Sequence, residues 1–338
     1  MYTPNSVWTW SFLLVACLQG IIALALECYV FGKFQESLQN DAEKTTESRT
    51  IPTYLSVYIF GFVYQVVLVY DALRLKNTIQ VIGLCLYNVG ILIYAAIQMD
   101  QIHDAVNFLV GRTMIELDFW NAVRPFLVAI PCVIALGTLL MAVVAWKLYD
   151  EFAWTIYKHI SADLRLKRRY LVYQIYIALL KFDFFFFLGF TVQFIVIVVK
   201  TNDVEFYLTI AAVPVTIIIL MLAAYWTRRE SVFGMICIII LYFGALAYFL
   251  FKLVRMYTDV ARREDYLPAR RMLTAFAVIT VLLLLVTIVI ACLCTHNFNK
   301  GLKPHISRRK VPDPNDQKDF INEMPTLAGP AGSRMTID

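Results

Sequence analysis

Four uncharged amides lie well inside long apolar stretches of the sequence: Gln19, Gln65, Asn88 and Gln193. An amide surrounded by hydrocarbon requires a hydrogen-bond partner, and such a bond between membrane helices contributes about 0.6–2 kcal/mol. The same side chains can instead line a polar cavity at the midplane that passes a solute. The amides therefore predict either hydrogen-bonded contacts between helices or the lining of a cavity.

A second group consists of charged residues near the ends of the apolar stretches: Asp71, Lys181 and Asp183. A helix rises about 1.5 Å per residue, so these residues fall at or near one membrane boundary and Glu27 falls at the opposite one. Lys181 can extend its side chain to the interface. We therefore expect these charges to contact water. The alternative is a buried functional ion pair of Lys181 with Asp71 or with Asp183.

Motifs of catalysis and metal binding are absent from the sequence. It contains no phosphate-binding, dinucleotide-binding, zinc-protease or nucleophile-elbow motif. Its four histidines and seven cysteines show no metal-ligand spacing or disulfide framework. Cys292 and Cys294 adjoin the end of the last apolar run, where S-palmitoylation occurs. The sequence predicts a protein that is not an enzyme and binds no cofactor, with Cys292 and Cys294 as candidate palmitoylation sites.

The composition identifies the elements that carry these residues. Of 338 residues, 60% are hydrophobic and 16% are charged, whereas a soluble domain carries about 45–50% apolar and about 25% charged residues. Apolar runs long enough to cross a hydrocarbon core of about 30 Å occupy Val7–Glu27, Pro52–Tyr70, Thr78–Gln98, Pro125–Trp146, Leu179–Val199, Phe206–Trp226, Val232–Val254 and Met272–Cys294. Backbone amides in lipid must bond within their own segment, so these runs predict helices. We predict an all-α, polytopic membrane helix bundle of about eight transmembrane helices over residues 1–299, without an apparent internal repeat.

Lysine and arginine are more frequent on the side of the N-terminus, which predicts cytosolic N- and C-termini. Residues 150–170 predict a basic amphipathic cytosolic element, and residues 300–338 predict a disordered cytosolic tail. The element contains four candidate contacts for anionic lipid headgroups: Arg165, Lys167, Arg168 and Arg169. Because topology accounts for the net charge of +5, no nucleic-acid partner is expected.

The stretch Asp163–Phe194 reads DLRLKRRYLVYQIYIALLKFDFFFFLGFTVQF. Its basic, tyrosine-rich lead into a phenylalanine run resembles a fungal family of uncharacterised multi-pass membrane proteins of the Golgi apparatus. The likeness extends from Thr9–Phe12 through the last apolar run. The resemblance implies family membership and a location in the Golgi membrane, and it carries no catalytic residues.

These observations favour a Golgi-resident integral membrane protein with a non-enzymatic role in trafficking or in organising other membrane proteins. Its expected partners are the lipid bilayer and other membrane proteins. Two alternatives remain open. A small-molecule transporter would have a polar midplane cavity lined by the amides. A receptor-like sensor would have a lumenal pocket, formed by residues 100–124.

Overall fold

The computed structural model describes residues 6–37, 46–111, 115, 118–159, 164–198, 204–258 and 270–300. Within these ranges it has eight long helices: α1 (Val7–Ser37), α2 (Thr46–Arg74), α3 (Thr78–Gly111), α4 (Phe119–His159), α5 (Leu164–Gln193), α6 (Val204–Arg229), α7 (Val232–Thr258) and α8 (Arg270–His296). A π-helical turn, Phe194–Val198, continues α5. All eight are long and apolar enough to span a membrane, which confirms the predicted fold class.

The helices run beyond the predicted apolar stretches because their polar ends continue the helical hydrogen bonding outside the hydrocarbon. The longest, α4, has 41 residues and reaches His159, so it enters the predicted amphipathic element. α5 takes up that element again from Leu164. Residues 160–163, and the predicted tail from residue 301 onwards, lie outside the described residues.

Successive helices alternate in direction, so the bundle has two ends. End A holds Ser6, the α2–α3 and α6–α7 connections and the described C-terminal residue Lys300. At this end the Ser6 hydroxyl donates a 2.7 Å hydrogen bond to the Glu151 carboxylate on α4. End B holds the opposite ends of the helices.

The helices form two units of four. In the first unit α1 packs most extensively on α4, α3 packs on α4, and α2 lies against α1 and α3. In the second unit α5 packs most extensively on α8, α7 packs on α8, and α6 lies against α5 and α7. Each unit begins at end A, so the order of neighbours and the orientation are the same in both. The sequence analysis found no repeat, whereas the structure has this repeated arrangement.

A tight turn at end A recurs at the same place in both units. Lys76, with φ of 46°, ends α2, and Glu230, with φ of 54°, ends α6. In each turn the next backbone N–H bonds five residues back, from Asn77 to Ala72 and from Ser231 to Trp226, as in a Schellman motif. Asn77 and Ser231 then accept hydrogen bonds from N–H groups in the first turn of α3 and α7.

The units meet where phenylalanines of α5 pack on glycines of the first unit. A Cβ on Gly83 of α3 would lie 2.4 Å from the Phe182 ring, and one on Gly90 would lie 2.9 Å from the Phe186 ring. These distances leave no room for a side chain. The phenylalanine run singled out in the sequence is therefore the contact surface between the units.

We expect Gly83→Ala to lower the free energy of unfolding by about 1–3 kcal/mol, the usual cost of overpacking a buried site. Thermal unfolding of the purified protein in nanodiscs measures the effect. Gly244→Ala on α7 is the matched control, because in the described part of the chain no heavy atom outside the adjoining backbone of α7 lies within 4 Å of its Cβ position. Equal stability of the two variants would contradict this description of the interface.

Candidate functional site

An ion pair joins the two units toward end A. Lys181 Nζ of α5 lies 2.5 Å from Asp71 Oδ2 of α2 and 2.9 Å from Gln80 Oε1 of α3. Gln80 Nε2 donates a 3.0 Å hydrogen bond to the same Asp71 oxygen. The Lys181 and Asp71 side chains are 26% and 36% exposed, so neighbouring helices enclose the pair only in part. The structure thus brings together two of the three charged residues selected from the sequence.

Asp183 lies apart from this ion pair. Its side chain is buried inside the second unit, where Oδ2 accepts a 2.7 Å hydrogen bond from Thr287 of α8. Oδ1 has no hydrogen-bond partner among the described residues. Asp183 therefore contacts its own unit, whereas Lys181, two residues earlier, faces the first unit.

A second ion pair joins the units at end B. Arg271 Nη1 at the start of α8 lies 3.5 Å from Asp104 Oδ2 near the end of α3, and each side chain is 64% exposed. In both pairs the acid belongs to the first unit and the base to the second. The two units are therefore linked by a charged contact near each end of the bundle.

Between the two ion pairs lies a narrow crevice at the interface of the units. The first unit contributes Tyr58 and Tyr94 to its walls, and the second contributes Phe185, Phe186 and Phe276. The Tyr58 and Tyr94 rings meet edge to face at 4.8 Å, and Tyr94 meets Phe276 in the same way at 5.5 Å. The crevice is thus an aromatic compartment formed by both units.

Glu27 of α1 is buried beside Gln98, which lies one helical turn along α3 from the crevice residue Tyr94. Its side chain is 2% exposed, Gln98 of α3 donates a hydrogen bond to Oε1, and Oε2 has no hydrogen-bond partner in the described part of the chain. The expectation that the charged groups contact water is wrong for Glu27 and Asp183. Counting residues gives the depth of a side chain along its helix, but packing decides whether neighbouring helices enclose it.

Three of the four selected amides meet at the centre of the first unit. Gln19 and Gln65 donate hydrogen bonds to Asn88 Oδ1 at 2.7 and 3.2 Å, and Asn88 Nδ2 donates to Thr138 Oγ1 at 2.8 Å. This cluster joins all four helices of that unit. Gln193 lies elsewhere, with its Nε2 3.5 Å from the Tyr94 hydroxyl. The amides therefore connect helices at two separate places, and none of the four is among the residues that line the crevice. This outcome matches the predicted contacts between helices, whereas the crevice is lined by other residues than those expected for a transporter cavity.

The basic residues selected at the start of α5 lie at end A. Arg165, Lys167 and Arg168 are exposed, and the α6–α7 turn adds the exposed Arg228 and Arg229. Arg169 is half-buried and donates a 2.6 Å hydrogen bond to the Lys300 carbonyl. This contact connects the start of α5 to the chain after α8.

The two candidate palmitoylation sites differ in accessibility. Cys292 is exposed, whereas Cys294 is 2% exposed in the hydrophobic core of the second unit. An acyl chain can reach only Cys292 without unpacking that core.

Sequence reasoning did not single out Asp104 and Arg271 as partners, or Tyr58. Asp104 lies within residues 100–124, the segment that the sequence suggests for a lumenal pocket. In the structure α3 continues through that segment to Gly111, and residues 112–114 and 116–117 lie outside the described residues. An acid near the end of one helix and a base near the start of another are common in membrane proteins, so only the packing identifies this pair.

Comparison with known proteins gives one curated relative. Over 315 residues the chain is 34% identical to a UPF0658 Golgi apparatus membrane protein of Schizosaccharomyces pombe, a match that spans 87% of this chain and 88% of that protein. No family model matches the chain. No solved structure matches it.

Proposed function

We propose a function on the premise that this chain belongs to the fungal UPF0658 family of Golgi apparatus membrane proteins. On this proposal it resides in the Golgi membrane as a multi-pass protein with cytosolic N- and C-termini. End A then faces the cytosol and end B faces the lumen. Its proposed activity is that of a small-molecule carrier whose two four-helix units rock against each other.

One observation carries the carrier proposal: an inter-unit ion pair lies near each end of the bundle, with the aromatic crevice between them. Carriers built from parallel repeats bind their substrate near the midplane, between the repeats, and open to one side at a time. Breaking Lys181–Asp71 would open the crevice toward end A, and breaking Arg271–Asp104 would open it toward end B.

The exposure of the ion pairs fits a reversible opening. Asp104 and Arg271 are mostly exposed, and a surface ion pair contributes only about 0–1 kcal/mol. The Lys181–Asp71 pair is less exposed and has Gln80 as an added hydrogen-bond partner. End A should therefore be the more tightly closed end at rest.

The carrier proposal predicts that one crevice residue is accessible from both sides of the membrane. In a variant without the native cysteines, Ile91→Cys places a thiol on the crevice wall, where Ile91 is 4% exposed. We expect a membrane-impermeant maleimide to label it from the cytosolic side and, separately, from the lumenal side. Mass spectrometry of the protein in sealed, oriented vesicles measures the labelling.

Val69→Cys is the matched control for this experiment. Val69 is 0% exposed on the same helix as Tyr58 and is not among the crevice residues, so it should stay unlabelled from both sides. If Ile91→Cys were labelled from one side only, or as slowly as Val69→Cys, the carrier proposal would be wrong.

The basic surface at end A supports a second candidate, a role in trafficking or in organising membrane proteins. Arg165, Lys167 and Arg168 lie exposed at the cytosolic membrane boundary of the proposed topology. Each basic residue near an anionic membrane surface contributes about 1 kcal/mol. Such a surface can hold anionic lipids or acidic segments of other membrane proteins around the bundle.

Replacing Arg165, Lys167 and Arg168 by glutamine should weaken the retention of phosphatidylinositol 4-phosphate by roughly a hundredfold, since about 1 kcal/mol is lost per charge. Native mass spectrometry of the purified protein measures the bound lipid, and microscopy measures the Golgi location. Arg169 is left unchanged because it contacts Lys300. The exposed Arg124 at end B supplies the control Arg124→Gln, to be compared with Arg168→Gln alone. Unchanged lipid retention and location would remove the support for this second role.

A further inference from the structure

The crevice combines ring faces with two polar atoms that lack a partner. The Tyr58 hydroxyl belongs to a fully enclosed side chain, 2% exposed, and has no hydrogen-bond partner within the described ranges. Glu27 Oε2 also lacks a hydrogen-bond partner among the described residues, and Glu27 is bonded to Gln98, which lies one helical turn along α3 from Tyr94. Buried polar groups nearly always have partners. Of the seven side-chain atoms that lack one among the described residues, these two belong to residues at or beside the crevice and require an explanation.

The chemistry of these groups selects a cation with an apolar surface. A carboxylate offers a negative charge, and the faces of aromatic rings attract ammonium groups within about 6 Å of the ring centroid. A metal ion such as Ca²⁺ takes about 6–8 oxygen ligands. The residues described around the crevice are mainly aromatic and aliphatic, with the Tyr58 and Tyr94 hydroxyls among few oxygen donors. An organic ammonium ion therefore matches the compartment better than a bare metal ion.

The chain already holds an ammonium group in this way elsewhere in the bundle. Lys252 of α7 is 5% exposed, and its Nζ lies 4.0 Å from the Phe194 ring centroid and 5.8 Å from that of Tyr248. Aromatic rings thus form part of the surroundings of an enclosed ammonium group in the second unit. The crevice offers the same type of surface, with a carboxyl group nearby.

We propose that the aromatic crevice between the two units, together with Glu27, binds a small organic ammonium ion. This inference rests on the carrier proposal and names the class of substrate. Glu27 supplies the countercharge, Tyr58 presents its ring and its hydroxyl, and Tyr94 presents its ring, because the Tyr94 hydroxyl donates to the Tyr54 carbonyl. Phe185, Phe186 and Phe276 close the opposite wall. The narrow crevice admits the ion when the units separate at one end.

Equilibrium binding of choline to the full-length protein tests this inference. The protein is placed in nanodiscs of phosphatidylglycerol, which lacks a choline headgroup, and radiolabelled choline is titrated. The neutral isostere 3,3-dimethylbutan-1-ol is the competitor of matched shape. We expect saturable choline binding that this alcohol displaces at least about tenfold less well than unlabelled choline, because the alcohol lacks the charge.

Glu27→Gln should weaken choline binding by about tenfold or more, because it removes the countercharge while keeping the shape of the side chain. Asp183→Asn is the matched control, since Asp183 is another buried carboxyl group and lies within the second unit. It should leave the affinity unchanged. Tyr58→Leu provides a second variant that removes a ring face and should also weaken binding.

The outcomes separate this inference from the carrier proposal. Absence of saturable choline binding, or equal displacement by the neutral alcohol, would refute the ammonium site even if Ile91→Cys were labelled from both sides. An equal effect of Glu27→Gln and Asp183→Asn would also refute it. Loss of free-choline binding in phosphatidylcholine nanodiscs would support the site and identify a lipid headgroup as the source of the ammonium ion.

Discussion

Replacing Lys181 by glutamine is expected to open end A of the protein and to raise the cytosolic reactivity of a thiol at Ile91→Cys by about 5–30-fold. The substitution leaves Asp71 without its positive partner and separates the units where they are joined most firmly. The free energy that a partly exposed ion pair contributes to the closed state lies between that of surface pairs and that of fully buried pairs, at about 1–2 kcal/mol. Every 1.4 kcal/mol changes an equilibrium about tenfold.

Charge reversal provides the internal check on this prediction. Asp71→Lys alone should open end A further, because two ammonium groups would then face each other. The double variant Asp71→Lys with Lys181→Asp should restore closure, since Gln80 offers either its oxygen or its nitrogen by rotating its amide. Lys33→Gln is the control, because Lys33 pairs with Glu36 of its own helix, α1, near end B. Failure of the double variant to restore closure would show that the pair does not hold end A.

Replacing Asn88 by leucine is expected to lower the free energy of unfolding by about 2–4 kcal/mol. Asn88 accepts hydrogen bonds from Gln19 and Gln65 and donates one to Thr138. Leucine has a similar volume but leaves both glutamine donors buried without this acceptor. Denaturant unfolding in detergent micelles measures the loss.

Gln193→Leu is the comparison for Asn88. Gln193 is equally buried, but its contact to the Tyr94 hydroxyl is long at 3.5 Å. Replacing Gln193 should lower the free energy of unfolding by less than about 1 kcal/mol. If Asn88→Leu cost no more than Gln193→Leu, the amide cluster could not be the structural centre of the first unit.

The helices themselves were predictable because the thickness of the hydrocarbon core fixes their length and excludes unpaired backbone. The order in which the helices pack against one another could not be predicted. Each apolar run is similar in composition, so nothing in the periodicity of α1 selects α4 as its principal neighbour. The repeat of four helices is visible in the order of contacts and in the matching turns at Lys76 and Glu230.

The candidate site was accessible to sequence reasoning only in part. Asp71, Lys181 and the phenylalanine run were singled out because charges and dense aromatics are rare in lipid. Their roles depend on which neighbouring helix each side chain faces, and a count of residues along the chain does not give that direction. Lys181 and Asp183 are two residues apart, so they point to different sides of α5 and belong to different contacts. Glu27 lies in the second half of α1, and its enclosure depends on the packing of neighbouring helices, among them α3 through Gln98.

The most direct test of the central claim measures distances between the units at both ends of the protein by electron paramagnetic resonance. Spin labels at Arg74→Cys and Arg168→Cys report end A, and labels at Asn107→Cys and Thr258→Cys report end B; all four positions are exposed. We predict that Lys181→Gln lengthens the end-A distance and shortens the end-B distance, and that Arg271→Gln does the reverse. Distances that stay fixed in both variants, or that lengthen together at both ends, would contradict the rocking of two four-helix units.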